Sequence, residues 1–247
     1  MKIKLSNKQK HILLWLWLAD HPNAYKDDFF TEHPDFGHPM NDCFACQAAG
    51  MTDYTPAKYC NIKCPMRWIP KKFRVFNYCC EPESYYMLWV NANSEEARIK
   101  YARKIVISAI KSWVPYKALL GINDVDIALS NREKFILEWS HLADYPDLSR
   151  EAIFNCLSPG QSVRNKCYAF EEAYARRTFQ LNTYDFCQDC PITWTTDPTD
   201  SNTCMFAQHS PYTYWQYSQK RNRSKYAKKM AIMGVKHWTK PKGGSKK

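Results

Sequence analysis

The sequence predicts a mainly α-helical protein with two tandem helical pseudo-repeats, each stapled by a Cys₄ metal site, with loop-rich connections. Three observations predict this fold: a series of motifs that occurs twice, helix start signals at the same place in both copies, and cysteines that align between the copies. We expect repeat 1 at residues 1–115, a linker at 116–129, repeat 2 at 130–234 and a basic tail at 235–247.

The repeat is visible within the chain itself. Residues 6–22 recur as residues 130–146, with Ile-Leu-x-Trp and Leu-Ala-Asp-x-Pro at the same places and an offset of 124. The offset is 126 between the Cys-Pro-x-x-Trp motifs that begin at Cys64 and Cys190, and 125 further on. Self-similarity at a nearly fixed period is typical of a duplicated structural unit.

Each repeat opens with a helix whose start can be predicted. Ser6 with Gln9, and Ser130 with Glu133, are capping boxes, in which each side chain accepts a hydrogen bond from a backbone N–H of the first turn. A proline follows each helix and ends it.

Further helices are predicted from spacing and start signals. Apolar residues at spacings of three and four predict a second helix at 163–177. Ser210 followed by proline is a helix start, and the helical pattern from it extends to residue 233, as it does from 94 to 113 in the first copy. The stretches between are rich in Pro, Asn, Asp and Thr and are predicted to be loops.

The aligned cysteines predict one zinc ion per repeat and two per chain. They are Cys43, Cys60, Cys64 and Cys79 in the first copy and Cys167, Cys187, Cys190 and Cys204 in the second. Four thiolates, with a Cys-x₂₋₃-Cys-Pro turn at the centre, suit a closed tetrahedral zinc site.

Alternatives to this ligand set remain at this stage. Cys43-Phe-Ala-Cys46 is itself a zinc knuckle that could pair with Cys60 and Cys64, although Phe170 stands where the second copy would need Cys46. Cys46 and Cys80 are possible alternative ligands. The cysteines could also be buried free thiols, ligands of an iron–sulfur cluster, or disulfides.

The positive charge is concentrated at the end of the chain. The net charge is +11, yet residues 1–200 carry 24 basic and 24 acidic groups, and no acid follows residue 200. A basic helix and tail indicate binding to a partner rich in phosphate or carboxylate; the alternative is a solvated helix face. The candidate binding residues are Lys220, Arg221, Arg223, Lys225, Lys228, Lys229, Lys236, Lys240 and Lys242.

Aromatic residues directly precede this basic run: Tyr212, Tyr214, Trp215 and Tyr217. They could stack on bases, but aromatic residues also stand at equivalent places in the first copy. Packing is therefore the favoured interpretation.

Several classes of protein are excluded by motif. Only 7 residues are glycine, and no dinucleotide fingerprint or phosphate-binding loop occurs. Metalloprotease, serine hydrolase and zinc deaminase motifs are also missing, and none of the 7 histidines recurs between the copies. We therefore expect no enzymatic activity and no small-molecule substrate.

The cellular compartment is predicted from hydropathy and cysteine number. No apolar stretch approaches the roughly 18 residues that span a bilayer, and 11 cysteines is an odd number for a disulfide framework. A cytoplasmic protein without a membrane segment is expected.

The combined motifs resemble a family of short, uncharacterised, cysteine-rich proteins of tailed bacteriophages. The resemblance rests on the motifs at residues 14–22, 43–46, 101–105 and 210–215, together with the Cys-x-x-Cys-Pro-x-x-Trp motif. The chain departs from the family in being doubled, in the extra residue between Cys60 and Cys64, and in lacking Cys46 in its second copy. The resemblance implies a phage product in the cytoplasm of a bacterial host, and it implies no activity.

Together these features predict a non-enzymatic zinc-binding phage protein that binds an anionic partner through its basic helix and tail. Nucleic acid is favoured, bound through phosphates without sequence readout. The alternative is an anti-defence or host-takeover function, in which the protein inhibits a host machine such as a defence nuclease or RNA polymerase. The third hypothesis is a nuclease or processing enzyme.

Overall fold

The computed structural model shows a mainly α-helical chain that divides into two compact units, Met1–Ala128 and Leu129–Lys247. The helical class predicted from the sequence is therefore confirmed. The structure describes residues 2–39, 42–51, 63–66, 68, 79–113, 123–158, 167–175, 190–194, 204 and 210–239. No helix in these ranges is long and apolar enough to cross a membrane.

The first unit is built around a buried helix. Its elements are β1 (Lys2–Leu5), α1 (Asn7–Asp20), α2 (Lys26–Glu32), a 3₁₀ turn (Pro34–Phe36), α3 (Phe44–Ala48), α4 (Tyr85–Val90), α5 (Glu95–Ser112) and β2 (Asn123–Asp126). Helix α1 is buried along nearly its whole length and is contacted by α2, α3 and α5. Such burial is expected of its apolar part, residues 12–19, but the polar residues that precede it, residues 7–11, are buried as well.

Strand β2 lies inside the segment that the sequence predicted to be a linker. It pairs antiparallel with β1, with Ile3 opposite Val125. The pairing satisfies backbone groups of both short strands and assigns residues 123–126 to the first unit. The boundary between the units falls at Ala128, within the expected linker.

The second unit has the same order of helices. Its elements are α6 (Asn131–Asp144), α7 (Arg150–Leu157), α8 (Tyr168–Ala175), α9 (Pro211–Tyr217) and α10 (Lys220–His237). Helix α6 is central and is contacted by α7, α8 and α10. Ala227, Met230, Ala231 and Val235 are buried, and their spacing of three and four places one face of α10 against α6.

The helix starts predicted from the sequence agree with the structure, and some boundaries differ. The prediction of loops between these helices was wrong at Lys26–Glu32 and Arg150–Leu157, which are helices α2 and α7. Both bonds of the capping box are formed at Ser6 and at Ser130. Within the helix expected at 163–177, α8 covers Tyr168–Ala175, and the flanking positions 163–166, 176 and 177 lie outside the described residues.

The helical pattern expected from 210 to 233 is two helices instead of one. The break falls at Ser218, whose N–H donates to the Trp215 carbonyl, and α10 then continues to His237, beyond the point where a tail was expected. The extension has a packing reason: Val235 is buried, Trp238 packs on Phe135, and Thr239 N–H donates to the Pro191 carbonyl.

Candidate functional site

An aromatic box with a cation at its edge lies at the centre of the first unit. Trp15 of α1 meets Trp89 of α4 edge to face, with ring centroids 5.2 Å apart, and Tyr86 lies 6.1 Å from Trp15. Helix α4 is positioned by Ser84, whose hydroxyl oxygen accepts from Met87 N–H at 3.0 Å. The Lys26 Nζ lies 4.4 Å from the Tyr86 ring centroid and 5.8 Å from that of Trp15. These are distances of a cation–π contact.

The second unit contains the same box at the equivalent positions. Trp139 and Trp215 meet edge to face at 5.1 Å, and Tyr212 lies 6.1 Å from Trp139. The cation here is Arg150, whose guanidinium carbon lies 5.0 Å from the Trp139 ring and 5.7 Å from that of Tyr212. Its Nε donates to the buried Glu138 carboxylate at 2.5 Å.

In the first unit, four cysteines lie close enough to influence one another electrostatically. The Cys46 thiol donates a hydrogen bond to Cys43, and this bond, together with the Lys26 charge and two backbone N–H groups, lowers the pKa of Cys43 to about 6 against the effect of burial. The same bond and burial raise the pKa of Cys46, as do the charges of Cys43, Cys79 and Cys64. Burial, and then Cys43, raise the pKa of Cys79.

In the second unit, two cysteines lie within electrostatic range of the Arg150 box. Burial raises the pKa of Cys167, and the Arg150 charge opposes that rise. Burial also raises the pKa of Tyr212, with contributions from Cys204 and Cys167. The charge of the box cation therefore acts on Cys43 and Cys79 in the first unit and on Cys167 in the second, where Cys204 acts on Tyr212 of the box.

The Cys-Pro-x-x-Trp motif forms the same hydrogen bond in both units. Trp68 Nε1 donates to Cys64 Sγ at 3.1 Å, and Trp194 Nε1 donates to Cys190 Sγ at 3.2 Å. An N–H donor favours the thiolate form of a cysteine, which is the form that binds metal.

The structure places two of the alternative ligands, Cys46 and Cys80, differently with respect to the other cysteines. It brings Cys46, an alternative in the sequence, to Cys43 and within electrostatic range of Cys64 and Cys79, while Cys80 is exposed with its sulfur 3.8 Å from that of Cys79. Cys60 and Cys187 lie outside the described residues. In the part of the chain that the structure describes, no group of three or more His, Cys, Asp or Glu residues is placed to hold a metal ion.

The basic residues of α10 divide into a solvent-facing group and a packing residue. At about 100° per residue, five of them fall within an arc of about 100°: Arg221, Lys225, Lys228, Lys229 and Lys236. We call this set the α10 face. All are exposed except Lys228, which is half-buried.

The remaining predicted binding residues lie elsewhere. Arg223 is half-buried with its guanidinium carbon 5.4 Å from the Trp215 ring, so it packs on the aromatic box. Lys220 begins α10. Lys240 and Lys242 lie outside the described residues.

The aromatic residues before α10 fall into two groups, those that pack in the aromatic box and those that are exposed. Tyr212 and Trp215 belong to the box, as the packing interpretation predicted. Tyr214 is 40% exposed and stacks on Tyr226 at 5.2 Å, and Tyr217 is 80% exposed.

Lys26, Arg150 and Glu138 were missed by sequence reasoning. A signal for two of them was present, because Lys26 and Arg150 are related by the same offset of 124 as the surrounding motifs. No such signal marked Glu138, because Leu14 stands at its place in the first copy.

Comparison with family models, curated proteins and solved structures gives no match for this chain.

Proposed function

We propose that this protein binds nucleic acid without catalysis, through phosphate contacts made by the α10 face. The observation that carries the proposal is the composition of α10: five basic residues on one face of an 18-residue helix that contains no acidic residue. The tail residues Lys240 and Lys242 extend the same charge. Contacts of this kind fix position on the backbone and carry no sequence information.

The dimensions of the α10 face suit a nucleic-acid backbone. From Arg221 to Lys236 the helix rises about 22 Å at 1.5 Å per residue. Duplex DNA carries one charge per about 1.7 Å of its axis, or about 13 charges over that length. A single helix can therefore contact several phosphates. The helix is already folded, so its side chains lose less entropy on binding than those of a disordered segment.

The face also has an electrostatic reason to take up an anion. Arg221 and Lys225, and then Lys225 and Lys229, are like charges at i,i+4, which destabilise a helix by roughly 0.2–0.5 kcal/mol per pair. A phosphate between them removes this repulsion.

The second part of the proposal is a zinc site in each unit. We also propose that the two units arose as tandem repeats. The support for the zinc sites is a match between the units: a Trp N–H donates to the central cysteine in both, and an aligned cysteine lies within electrostatic range of the box cation in both. A Cys₄ site with Zn²⁺ carries a net charge of −2, which Lys26 or Arg150 partly offsets. The role of zinc would be to stabilise the fold.

The ligands of the second unit would be Cys167, Cys187, Cys190 and Cys204. In the first unit Cys43, Cys64 and Cys79 would be joined by either Cys46, which contacts Cys43, or Cys60. The described thiols of this set are not placed around a common ion and would have to close on it. We also propose that the protein acts in the cytoplasm of a bacterial host, and the support for this is the resemblance to phage proteins.

The test of nucleic-acid binding is a salt titration on duplex DNA by fluorescence anisotropy. Each phosphate neutralised contributes about −0.9 to the slope of log K against log salt. Replacing Arg221, Lys225 and Lys229 together by Gln should make that slope less steep by about 3. The matched control exchanges the same three residues for the other basic type, Arg221→Lys, Lys225→Arg and Lys229→Arg, and should keep the slope. A parent protein without affinity at low salt would overturn the proposal, as would an unchanged slope in the Gln variant.

The test of the metal proposal is elemental analysis of protein purified without chelator. Two zinc ions per chain are expected. Cys190→Ser should remove one of them, and Cys156→Ser, at a position without a counterpart, should remove none. Metal-free parent protein that keeps its fold would overturn the proposal.

A second candidate function is inhibition of a host nuclease or RNA polymerase by docking on it. The observation in its favour is the pair of exposed tyrosines, Tyr214 and Tyr217, beside the basic face, because tyrosine and arginine are enriched at protein interfaces. Affinity purification from host cells, with and without nuclease treatment, separates the two: a host protein retained after nuclease treatment and lost in Tyr217→Ala favours docking.

A further inference from the structure

Helix α5 of the first unit carries a basic face that matches the α10 face. The two helices have the same length of 18 residues and are related by a constant offset of 125. The basic residues Lys100, Arg103, Lys104 and Lys111 stand at the positions of Lys225, Lys228, Lys229 and Lys236. We call the first four the α5 face.

The α5 face lies on the solvent side of its helix. Its four residues fall within an arc of about 100°, opposite the buried positions Ala102, Ile105 and Ala109. Lys100 and Lys111 are exposed, and the other two are half-buried.

The centre of each face has the same local geometry. In α5, Tyr101 lies between two lysines whose Nζ atoms are 5.5 Å (Lys100) and 5.2 Å (Lys104) from its ring centroid. In α10, the corresponding distances to Tyr226 are 5.7 Å for Lys225 and 5.6 Å for Lys229. The lysine pairs are like charges one helical turn apart. Burial, and then the neighbouring Lys100 charge, lower the pKa of Lys104.

Helices α5 and α10 share residues on their basic faces and on their buried sides, but for different physical reasons. Ala102 and Ala227 are both fully buried, and their identity follows from close packing. Packing places no such demand on exposed positions, and several of these differ, such as Glu96 against Arg221. Basic residues nevertheless occupy all four positions of the α5 face in both helices, although adjacent like charges are unfavourable for an isolated helix. The contacts of the lysines with Tyr101 and Tyr226 offset part of this cost, and binding of an anion would offset more of it.

We propose that the α5 face is a second phosphate-binding surface, so that one chain contacts a nucleic-acid backbone at two places. This proposal rests on the proposed function of the α10 face. It extends phosphate binding to the first unit, which lies within the formally neutral residues 1–200. The α5 face is the weaker of the two, because Glu95 and Glu96 stand where α10 has Lys220 and Arg221. Glu95 is held in place by Asn23, whose Nδ2 donates to it at 2.7 Å.

The experiment uses two matched variants of the full chain and their combination. The α5 variant carries Lys100→Gln, Lys104→Gln and Lys111→Gln, and the α10 variant carries Lys225→Gln, Lys229→Gln and Lys236→Gln. Affinity for duplex DNA and its salt slope are measured for all, with circular dichroism to check the helix content. The α10 variant should keep residual binding, and the combined variant should bind more weakly than it, with a salt slope less steep by about 3, since each lysine contributes about −0.9.

The outcomes separate this proposal from the one on which it rests. If the parent does not bind, or if the α10 variant binds as the parent does, the proposed function fails. If the α10 variant weakens binding and the combined variant is no weaker than it, the α5 face alone fails.

A gain-of-function variant provides an independent test of the α5 face if the α5 variant is poorly folded. Glu96→Arg copies Arg221 into the exposed first turn of α5. In the α10 variant background it should increase affinity several-fold and make the slope steeper by about 1. No change in either quantity would overturn the second surface.

Discussion

The two units hold a cation against the same aromatic box, but they stabilise that cation differently. In the first unit the cation is the half-buried Lys26, and the apolar Leu14 stands at the helix position that Glu138 has in the second unit. In the second unit the cation is Arg150, and the equivalent helix position is Glu138, which is fully buried. A lysine keeps its ammonium partly hydrated, whereas an arginine can be buried when a carboxylate accepts its fixed N–H groups.

This difference shows which features of the box are general and which are local. The edge-to-face tryptophan pair has nearly the same geometry in both units, at 5.2 Å and 88° in one and 5.1 Å and 89° in the other. The pair therefore tolerates either cation. The buried carboxylate of Glu138 is needed only where arginine replaces lysine.

The largest expected effect is the removal of Arg150. Arg150→Ala leaves the Glu138 carboxylate buried without its partner, and breaking a buried ion pair in this way costs about 3–5 kcal/mol. Burial already raises the pKa of Glu138. An acid with a raised pKa destabilises the fold less as the pH falls, so the loss should be smaller at pH 5 than at pH 7. Urea unfolding followed by near-ultraviolet circular dichroism measures both.

The matched control converts the second unit to the arrangement of the first. Glu138→Leu combined with Arg150→Lys removes the buried carboxylate and keeps a cation over Trp139. We expect it to recover most of the stability lost in Arg150→Ala. A double variant as unstable as the single one would show that the two arrangements are not interchangeable.

The second comparison concerns His11 and its counterpart Phe135. His11 lies between Trp15, Trp68 and Trp113 and is fully buried, and burial, followed by the charge of Lys26, lowers its pKa to about 3. The unfolded chain takes up a proton near pH 6.5 that the folded chain does not, so stability is full above pH 6.5 and falls as the pH drops toward 3. The expected loss between pH 7 and pH 5 is about 2 kcal/mol.

His11→Phe copies the residue of the second unit and should remove this loss. Phe135 occupies the same place there, 5.6 Å from Trp238, which is the counterpart of Trp113. The measurement is the urea midpoint at pH 5 and pH 7 for parent and variant. Equal shifts in the two proteins would show that His11 is not the titrating group.

The third comparison concerns the closest approach of the paired helices in each unit. A Cβ at Gly234 would lie 2.9 Å from atoms of both Ile136 and Phe135, whereas Ala109 stands at the equivalent place in the first unit, where the smaller ring of His11 replaces phenylalanine. Gly234→Ala gains helix propensity of about 1 kcal/mol, but overpacking costs about 1–3 kcal/mol. We expect a net loss of about 1 kcal/mol in thermal or urea unfolding.

Ala109→Gly should lose a similar amount for the opposite reason, a cavity and a weaker helix. Stabilisation by Gly234→Ala would show that Phe135 can move aside.

The parts of the fold that could be predicted from the sequence are those set by local interactions. The capping boxes at Ser6 and Ser130 need only residues three apart, and both are formed as predicted. The break at Ser218 was missed because no proline or glycine marks it. The pairing of residues 123–126 with the first strand joins segments more than a hundred residues apart, which periodicity cannot detect.

The candidate site shows the same division. The alignment of the two copies indicated Cys43, Cys64 and Cys79, and the hydrogen bond from Trp68 to Cys64 joins residues four apart within one motif. The proximity of Cys46 to Cys79, and of Arg150 to Cys167, depends on the path of the chain between them. The duplication, the zinc ions and the phage resemblance stay predictions.

The smallest expected difference lies in the two capping boxes. At both Ser6 and Ser130 the hydroxyl oxygen accepts an N–H at 3.3 Å and the serine N–H donates to the side chain three residues on at 2.8 Å. Because these two bonds have the same lengths in both caps, Ser6→Ala and Ser130→Ala should each cost about 1 kcal/mol. The partners differ in charge: Gln9 is neutral and Glu133 is an anion in the first turn, where the helix dipole favours negative charge by about 0.3–1 kcal/mol. Glu133→Gln should therefore lose a few tenths of a kcal/mol at low salt, and less at high salt, because screening weakens the interaction.

Unfolding of the parent, the two Ser→Ala variants and Glu133→Gln at two salt concentrations measures these differences. A loss in Glu133→Gln that does not change with salt would assign the effect to hydrogen bonding instead of charge, and the two caps would then be energetically alike.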